Sequence, residues 1–250
     1  MPTVTSGARS HVGLVRAHNE DAVLSGRNVW AVADGMGGHA AGEVASALVV
    51  AALARLDGLE RLRVGDVVAT LAEAHSDVLR HGDLHPGARG LGSTVTGVAR
   101  VVEADAERWL VFNVGDSRVY RVGEGGLTRA TVDHSETEDL VRAGIITAGA
   151  ARTHPARHVI TRSLGQPAPL EVDTWLVDVA PGERFLVCSD GLTGEVSDGD
   201  LERLLRSEPD AGRAASALVD AALAGGGRDN VTALVVDVSG PDAAASGPQA

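Results

Sequence analysis

Apolar residues in this chain fall into short, Val-rich runs closed at each end by Gly, Asp, Pro or Ser. Seven such runs, at 29–33, 94–102, 108–114, 117–122, 172–179, 184–189 and 231–238, predict strands. Gly115-Asp116 separates two of them by a pair of turn-forming residues and predicts a tight hairpin. A period near 3.6 replaces the alternation at about 42–56, 64–80, 198–206 and 210–223, predicting helices. The helices come in pairs between groups of strands. That order predicts an α+β fold with antiparallel sheets flanked by helices, not alternating βαβ units.

Three segments carry no such pattern. Residues 1 to about 10 are small and polar and read as a loose arm. The stretch 239–250 (SGPDAAASGPQA) reads as a disordered C-terminal tail. The segment 133–165 is rich in His, Arg, Thr and Ala, with one short helix near 137–143. An irregular stretch this long inside a domain is either functional or disordered, and it is expected to form a mobile flap beside the site. No repeat of 20 to 50 residues suggests a solenoid.

The 250 residues fit one large domain. Hydrophobic residues are 44% of the chain, too many for a disordered protein, and aromatics only 2%, so Val, Leu and Ala must build the core. The net charge is −12 and every basic residue is arginine. That balance argues against a nucleic-acid binder, which needs clustered cations to displace counterions, and against docking on an anionic membrane. The first 16 residues lack the apolar core of a secretory signal, and the most apolar stretch, 44–56, is too short to span a bilayer. A single cysteine, Cys188, excludes an internal disulfide and a cysteine zinc site. A cytoplasmic location is expected.

The candidate chemistry lies in the placing of aspartates. Asp34 follows a strand and precedes Gly35-Met36-Gly37-Gly38. Asp116 sits in the expected hairpin turn, Asp190 ends a strand before Gly191, and Asp229 precedes Asn230 and the last strand. Any one Asp-Gly pair is most simply a turn. Several carboxylates converging from rigid strand ends would instead repel one another unless a hard divalent cation, Mg²⁺ or Mn²⁺, sat between them.

These residues sit in a series of motifs. Arg16-Ala-His-Asn-Glu20-Asp21 is followed by Val32-Ala-Asp34-Gly35-Met36-Gly-Gly-His39, then Gly92-Ser93-Thr94 and Val114-Gly115-Asp116-Ser117-Arg118. Asp133-His134-Ser135, Cys188-Ser189-Asp190-Gly191-Leu192 and Gly227-Arg-Asp229-Asn230-Val231-Thr232 complete it. In this order and spacing the chain resembles the PP2C (PPM) family of metal-dependent protein serine/threonine phosphatases, in its bacterial branch, over about residues 8 to 238. The resemblance implies a four-layer α-β-β-α sandwich with a binuclear metal site at one end.

The resemblance also implies roles. Asp34 would bridge two Mn²⁺ or Mg²⁺ ions, Gly35 would offer its carbonyl, and Asp190 and Asp229 would complete the protein ligands. Asp116 with Asp190 would hold a third ion. Glu20 and Asp21 would hold metal-bound waters, and Arg16 would grip the substrate phosphate. A metal-bridging hydroxide would then attack phosphorus directly, so Cys188 is expected to be a core residue. Met36 stands where eukaryotic relatives carry a histidine assigned as general acid; methionine donates no proton, and a metal-bound water is the expected donor. His39, three residues further on in the motif, reads as either structural or catalytic. In the flap, His154, His158 and Thr161 could touch substrate or a third metal, and Arg152, Arg157 and Arg162 could either read an acidic phosphopeptide or simply be solvated.

Partners implied are phosphorylated proteins, among them serine/threonine kinases and their substrates. Two other readings stand beside this one. A non-catalytic binding module of the same fold would be expected to lack Asp34, Asp190 or Asp229, and all three are present. A phosphatase of small phosphomonoesters would share every motif. A serine hydrolase built on Asp133-His134-Ser135 is disfavoured, because adjacent residues do not face one another.

Overall fold

The computed structural model describes residues 3–37 and 41–240. The glycine-rich end of the Asp34 motif with His39, and tail residues 241–250, lie outside the described residues.

Two antiparallel sheets stack face to face. The first runs β1-β11-β10-β7-β8, from Val4–His11, Val231–Val238, Arg184–Cys188, Arg118–Gly123 and Gly126–Arg129. The second runs β2-β3-β5-β6-β9, from Asp21–Ser25, Val29–Met36, Val95–Glu103, Ala106–Val114 and Asp173–Val177. Its short β4 (Gly92–Ser93) pairs with the end of β3. The period-2 rule explains why both faces of the central strands are apolar. On β3, Trp30 and Val32 point into the seam between the sheets, where they meet Val98, Trp109, Phe185, Val187, Leu234 and Val236. Val29, Ala31 and Ala33 point the other way, onto α1 (Ala41–Ala54) and α2 (Val64–Leu84). The outer face of the first sheet is covered likewise by α6 (Asp198–Ser207) and α7 (Ala211–Gly225). The result is the expected α-β-β-α sandwich.

Small residues set the layer spacing. A Cβ on Gly7 of β1 would run into the backbone of Gly212 on α7, and one on Gly35 of β3 into the carbonyl of Gly42 on α1. No described helix is long and apolar enough to cross a membrane.

Three expectations are corrected. Gly115-Asp116 is not a hairpin: β6 and β7 lie in different sheets, and this turn carries the chain across the seam. Residues 4–11 are not a loose arm, because β1 pairs along its whole length with β11. Its small and polar residues suit an edge strand: Thr5, Ala8 and Ser10 are exposed, while Gly7 packs on α7 and Ser6 accepts the indole N–H of Trp30. Asp190 does not end a strand either; it opens the short helix α5 (Asp190–Thr193), with Ser189 at its N-cap.

Candidate metal centre

Five carboxylates reach the same end of the sandwich from five segments. Asp21 opens β2 and lies directly across the ladder from Asp34 on β3. Asp116 sits at the crossing between sheets, Asp190 follows β10, and Asp229 precedes β11. The backbone is tightly fixed at each place. The Asp34 N–H donates to Thr94 Oγ1 at 3.1 Å, and Thr94 Oγ1 lies 2.9 Å from Ser117 Oγ, tying the Asp34 strand to the Asp116 turn. Gly35 N–H donates to the Glu20 carbonyl at 3.1 Å. Gly191 is not a turn residue: a Cβ there would collide with the carbonyl of Asn230, so glycine lets Asp190 and Asp229 come together.

The electrostatics are those of a site made for positive charge. Burial, and then the neighbouring carboxylates Asp21, Asp190, Asp116 and Asp229, push the Asp34 carboxyl well above its ordinary range. Burial and Asp190 do the same to Asp116. Asp190 is raised by burial and by Asp229, and stands close enough to Asp34 to share a proton. It still keeps 28% of its side-chain surface, open toward the groove. Asp21 is pushed up to about 7, chiefly by burial, although Ser189 Oγ (2.8 Å) and Thr232 Oγ1 (2.7 Å) donate to its Oδ2.

Whether these residues fit divalent cations is decided by their unpaired oxygens. Asp21 Oδ1 and Asp116 Oδ1 are buried with no hydrogen-bond partner. Leaving them so costs free energy that a cation, or water held by one, removes. Among the described residues no three His, Cys, Asp or Glu side chains surround one point. A hard cation that keeps most of its waters needs only one or two direct carboxylates, and an all-oxygen set with no sulfur or imidazole suits Mg²⁺ or Mn²⁺. The donor set fits.

Arg16 Nη2 donates to Asp229 Oδ2 at 2.7 Å, and its guanidinium is half exposed toward the groove. That hydrogen bond, together with the nearby Glu20 and Asp34 charges, raises its already high pKa. Glu20 acts first through its backbone: its N–H donates to Asn230 Oδ1 (2.8 Å) and its carbonyl accepts from Ser46 Oγ (2.6 Å). Its carboxylate lies beside Gly42, at the positive end of α1.

The groove around the centre encloses about 740 Å³. A second cavity of about 520 Å³ lies at the opposite end of the sandwich, where Arg184 and Asp237 already pair with each other. Its Glu183 is likewise bound to Arg121, whereas the first groove holds the converging aspartates. The expected flap forms one wall of that groove. Its roots are fixed by isolated bridges, Ser135 to Ile160 and Ser93 to Leu164, and between them lie α3 (Glu136–Arg142) and α4 (Ala148–Ala151). His158 Nδ1 stands 3.9 Å from Asp190 Oδ2. His154 Nδ1 instead accepts from the Ala156 N–H, and Arg162 binds Asp173 and Glu171.

Residues named in the motifs turn out to have supporting tasks that sequence reasoning missed. Asn230 Nδ2 donates to the carbonyls of Val12 and His18, both at 2.9 Å, and so holds the loop that carries Arg16. Asp133 is 6% exposed and accepts from Arg118 Nε (3.0 Å) and Nη2 (2.6 Å), beneath the groove. His134 accepts the Gly115 N–H on Nδ1 (3.1 Å), so its proton lies on Nε2, 3.1 Å from Asp173 Oδ2. Its carbonyl accepts from Thr161. The imidazole thus joins the Asp116 turn to β9, and the backbone carbonyl of the same residue holds the returning flap. Removing it in His134→Ala leaves the buried Gly115 N–H without an acceptor, a cost of about 1–3 kcal/mol. Thermal denaturation should register a fall of roughly 5 °C. His134→Asn, whose Oδ1 stands where Nδ1 stood, should recover most of it.

The protein phosphatase 2C family model matches residues 11–223 of the chain. The serine/threonine protein phosphatase PstP of Mycobacterium tuberculosis is 42% identical over 235 residues, covering 92% of this chain and 44% of that protein. The chain therefore spans less than half the length of that relative. The serine/threonine phosphatase stp of Listeria innocua is 32% identical, covering 92% of this chain and 94% of that one. The solved PstP catalytic domain in complex with two manganese ions superposes with a TM-score of 0.86 at 38% identity, covering 96% of this chain and all of the other. The chain belongs to the protein phosphatase 2C family.

Proposed function

We propose that this chain is a metal-dependent protein serine/threonine phosphatase that hydrolyses phosphoserine and phosphothreonine in proteins. The observation that carries this reading is the convergence of Asp34, Asp116, Asp190 and Asp229 beside the half-exposed Arg16, at one end of a rigid sandwich. Relatives named as serine/threonine phosphatases, one of them solved with manganese, support it. We assign the phosphatase domain to residues 8–238, with β1 extending it to Val4, and place the protein in the cytoplasm among phosphorylated substrates and their kinases.

Asp34, Asp190 and Asp229, with the Gly35 carbonyl, would hold two Mn²⁺ or Mg²⁺ ions, and Asp116 with Asp190 a third. Bound there, such ions polarise phosphoryl oxygens and lower the pKa of water near neutrality. The chain's own residues do the rest. Arg16 exchanges its bond to Asp229 for the substrate phosphate, whose two oxygens a guanidinium meets in a fork. Asp229 is thereby freed as a ligand. Ser189 and Thr232 hold Asp21 in one rotamer, with its unpaired Oδ1 left to orient water. Thr94 and Gly191 fix the positions of Asp34 and Asp190, so little reorganisation remains for the reaction itself.

Phosphate release from a phosphothreonine peptide tests the proposal. Release should require added Mn²⁺, stop with EDTA, and fall at least a hundredfold in Asp190→Asn. A folded, Mn²⁺-loaded protein that releases nothing would turn the reading toward a binding module. Faster release from free phosphoamino acids and nucleotides than from peptides would favour a small-molecule phosphatase.

A further inference from the structure

The groove beside the metal centre has two walls of different character. On the wall formed by the sandwich, each arginine is matched to a carboxylate: Arg16 to Asp229, Arg118 to Asp133, and Arg228 to Glu195 at 3.0 Å. Arg129 at the base of the flap is matched to Glu138. On the flap, Arg152 ends α4 and Arg157 follows in the next turn. Both are exposed and line the same groove, and neither has a carboxylate partner among the described residues. Arg162, also in the flap segment, is taken up by Asp173 and Glu171.

Two unmatched guanidinium groups facing a cleft are unusual in a chain with a net charge of −12. The acidic surface as a whole repels an anionic partner, while this wall attracts one at close range, within the ~8–10 Å over which charges act in physiological salt. Asp116 and Asp190 of the centre line the same groove, with the flap's His158 3.9 Å from Asp190. With a substrate phosphate held at those carboxylates and Arg16, as the phosphatase reading requires, the residues flanking it in an extended peptide would lie along the flap.

We propose that Arg152 and Arg157 form an anion-reading wall, and that the protein prefers phosphorylated residues flanked by acidic side chains. This rests on the phosphatase reading and deepens it, by naming the class of peptide taken. The two arginines touch the flanking residues of the substrate, not the phosphate being removed, so they set specificity between substrates.

The test compares two phosphothreonine peptides with Mn²⁺ present, identical except that the flanking residues are all Glu in one and all Gln in the other. The Glu peptide should have a kcat/KM roughly tenfold higher at low salt, as expected for two modest charge pairs. The advantage should shrink toward unity in 0.5 M NaCl. In the double variant Arg152→Gln/Arg157→Gln the ratio of the two peptides should fall to about one. Equal rates on both peptides in the parent protein, or an undiminished preference in the double variant, overturn the inference and leave the phosphatase reading intact. No release from either peptide overturns the phosphatase reading, and the inference with it.

Discussion

Asp34→Asn is expected to cut phosphate release at least a thousandfold and, in EDTA, to melt several degrees above the parent protein. The two effects have one cause. Asp34 is surrounded by protein and by Asp21, Asp190, Asp116 and Asp229, which hold its carboxyl well above its ordinary pKa. A carboxyl raised in the folded state favours folding fully only below its unfolded pKa, near 4. That contribution is lost as pH rises through the folded value. For Asp21 this window runs from about 4 to about 7. Metal-free protein should therefore lose stability as pH rises from 4 toward 8, by about 1.4 kcal/mol per pH unit for each extra proton held in the folded state. Asn removes one member of the repelling group, so the variant should lose less. Mn²⁺ should stabilise the parent more as pH rises, because protons compete with it for the same oxygens, and should barely stabilise Asp34→Asn. Melting curves at pH 5 and pH 8, with EDTA and with Mn²⁺, check all of this; a variant that melts below the parent in EDTA at pH 8 contradicts it.

Arg184→Ala should be the most damaging single change far from the centre. Arg184 is 8% exposed. Its Nε and Nη2 donate to the two oxygens of Asp237, and its Nη1 and Nη2 to the carbonyls of Leu205, Glu208 and Pro209, at and just beyond the C-terminal end of α6. Removing one partner of a buried pair costs about 3–5 kcal/mol, because the other charge stays behind. At 2–4 °C per kcal/mol for a chain of this size, the melting temperature should fall by roughly 10–15 °C. The combined change Arg184→Met/Asp237→Leu should cost less than Arg184→Ala alone. Below its melting point Arg184→Ala should keep normal phosphate release per folded molecule, since this pair lies at the opposite end of the sandwich from Asp34.

What could be read from the sequence was whatever depended on neighbours in the chain. Val29-Trp-Ala-Val-Ala33 and Ala233-Leu-Val-Val236 are apolar at consecutive positions because both faces are covered, and they stand out. β1 does not, because Thr5, Ser6 and Arg9 are ordinary loop residues until β11 supplies the pairing. The Gly115-Asp116 turn has hairpin chemistry, and only the other strands decide that β6 and β7 belong to different sheets. In the centre, motif order placed Asp34, Asp116, Asp190 and Asp229 together. The supporting contacts of Asn230 and His134 span up to 218 residues of chain, and no local pattern encodes a bond of that kind. Asp34-Gly35 and Asp190-Gly191 look like turns in the sequence. Their glycines serve instead to let backbones meet.

The seam between the two sheets determines which optical signals this protein can give. All three tryptophans lie in or against it: Trp30 and Trp109 stack with ring centroids 5.5 Å apart, Trp109 lies 5.3 Å from Phe185, and Trp175 packs alongside. None lines the groove. Tryptophan emission therefore reports the parting of the sheets and is silent to what enters the cleft, which, of the Trp, Tyr and Phe rings, only that of Tyr120 lines. Following cargo binding by light requires a fluorophore placed on the flap, with the native indoles serving as an internal gauge that the sandwich has stayed shut.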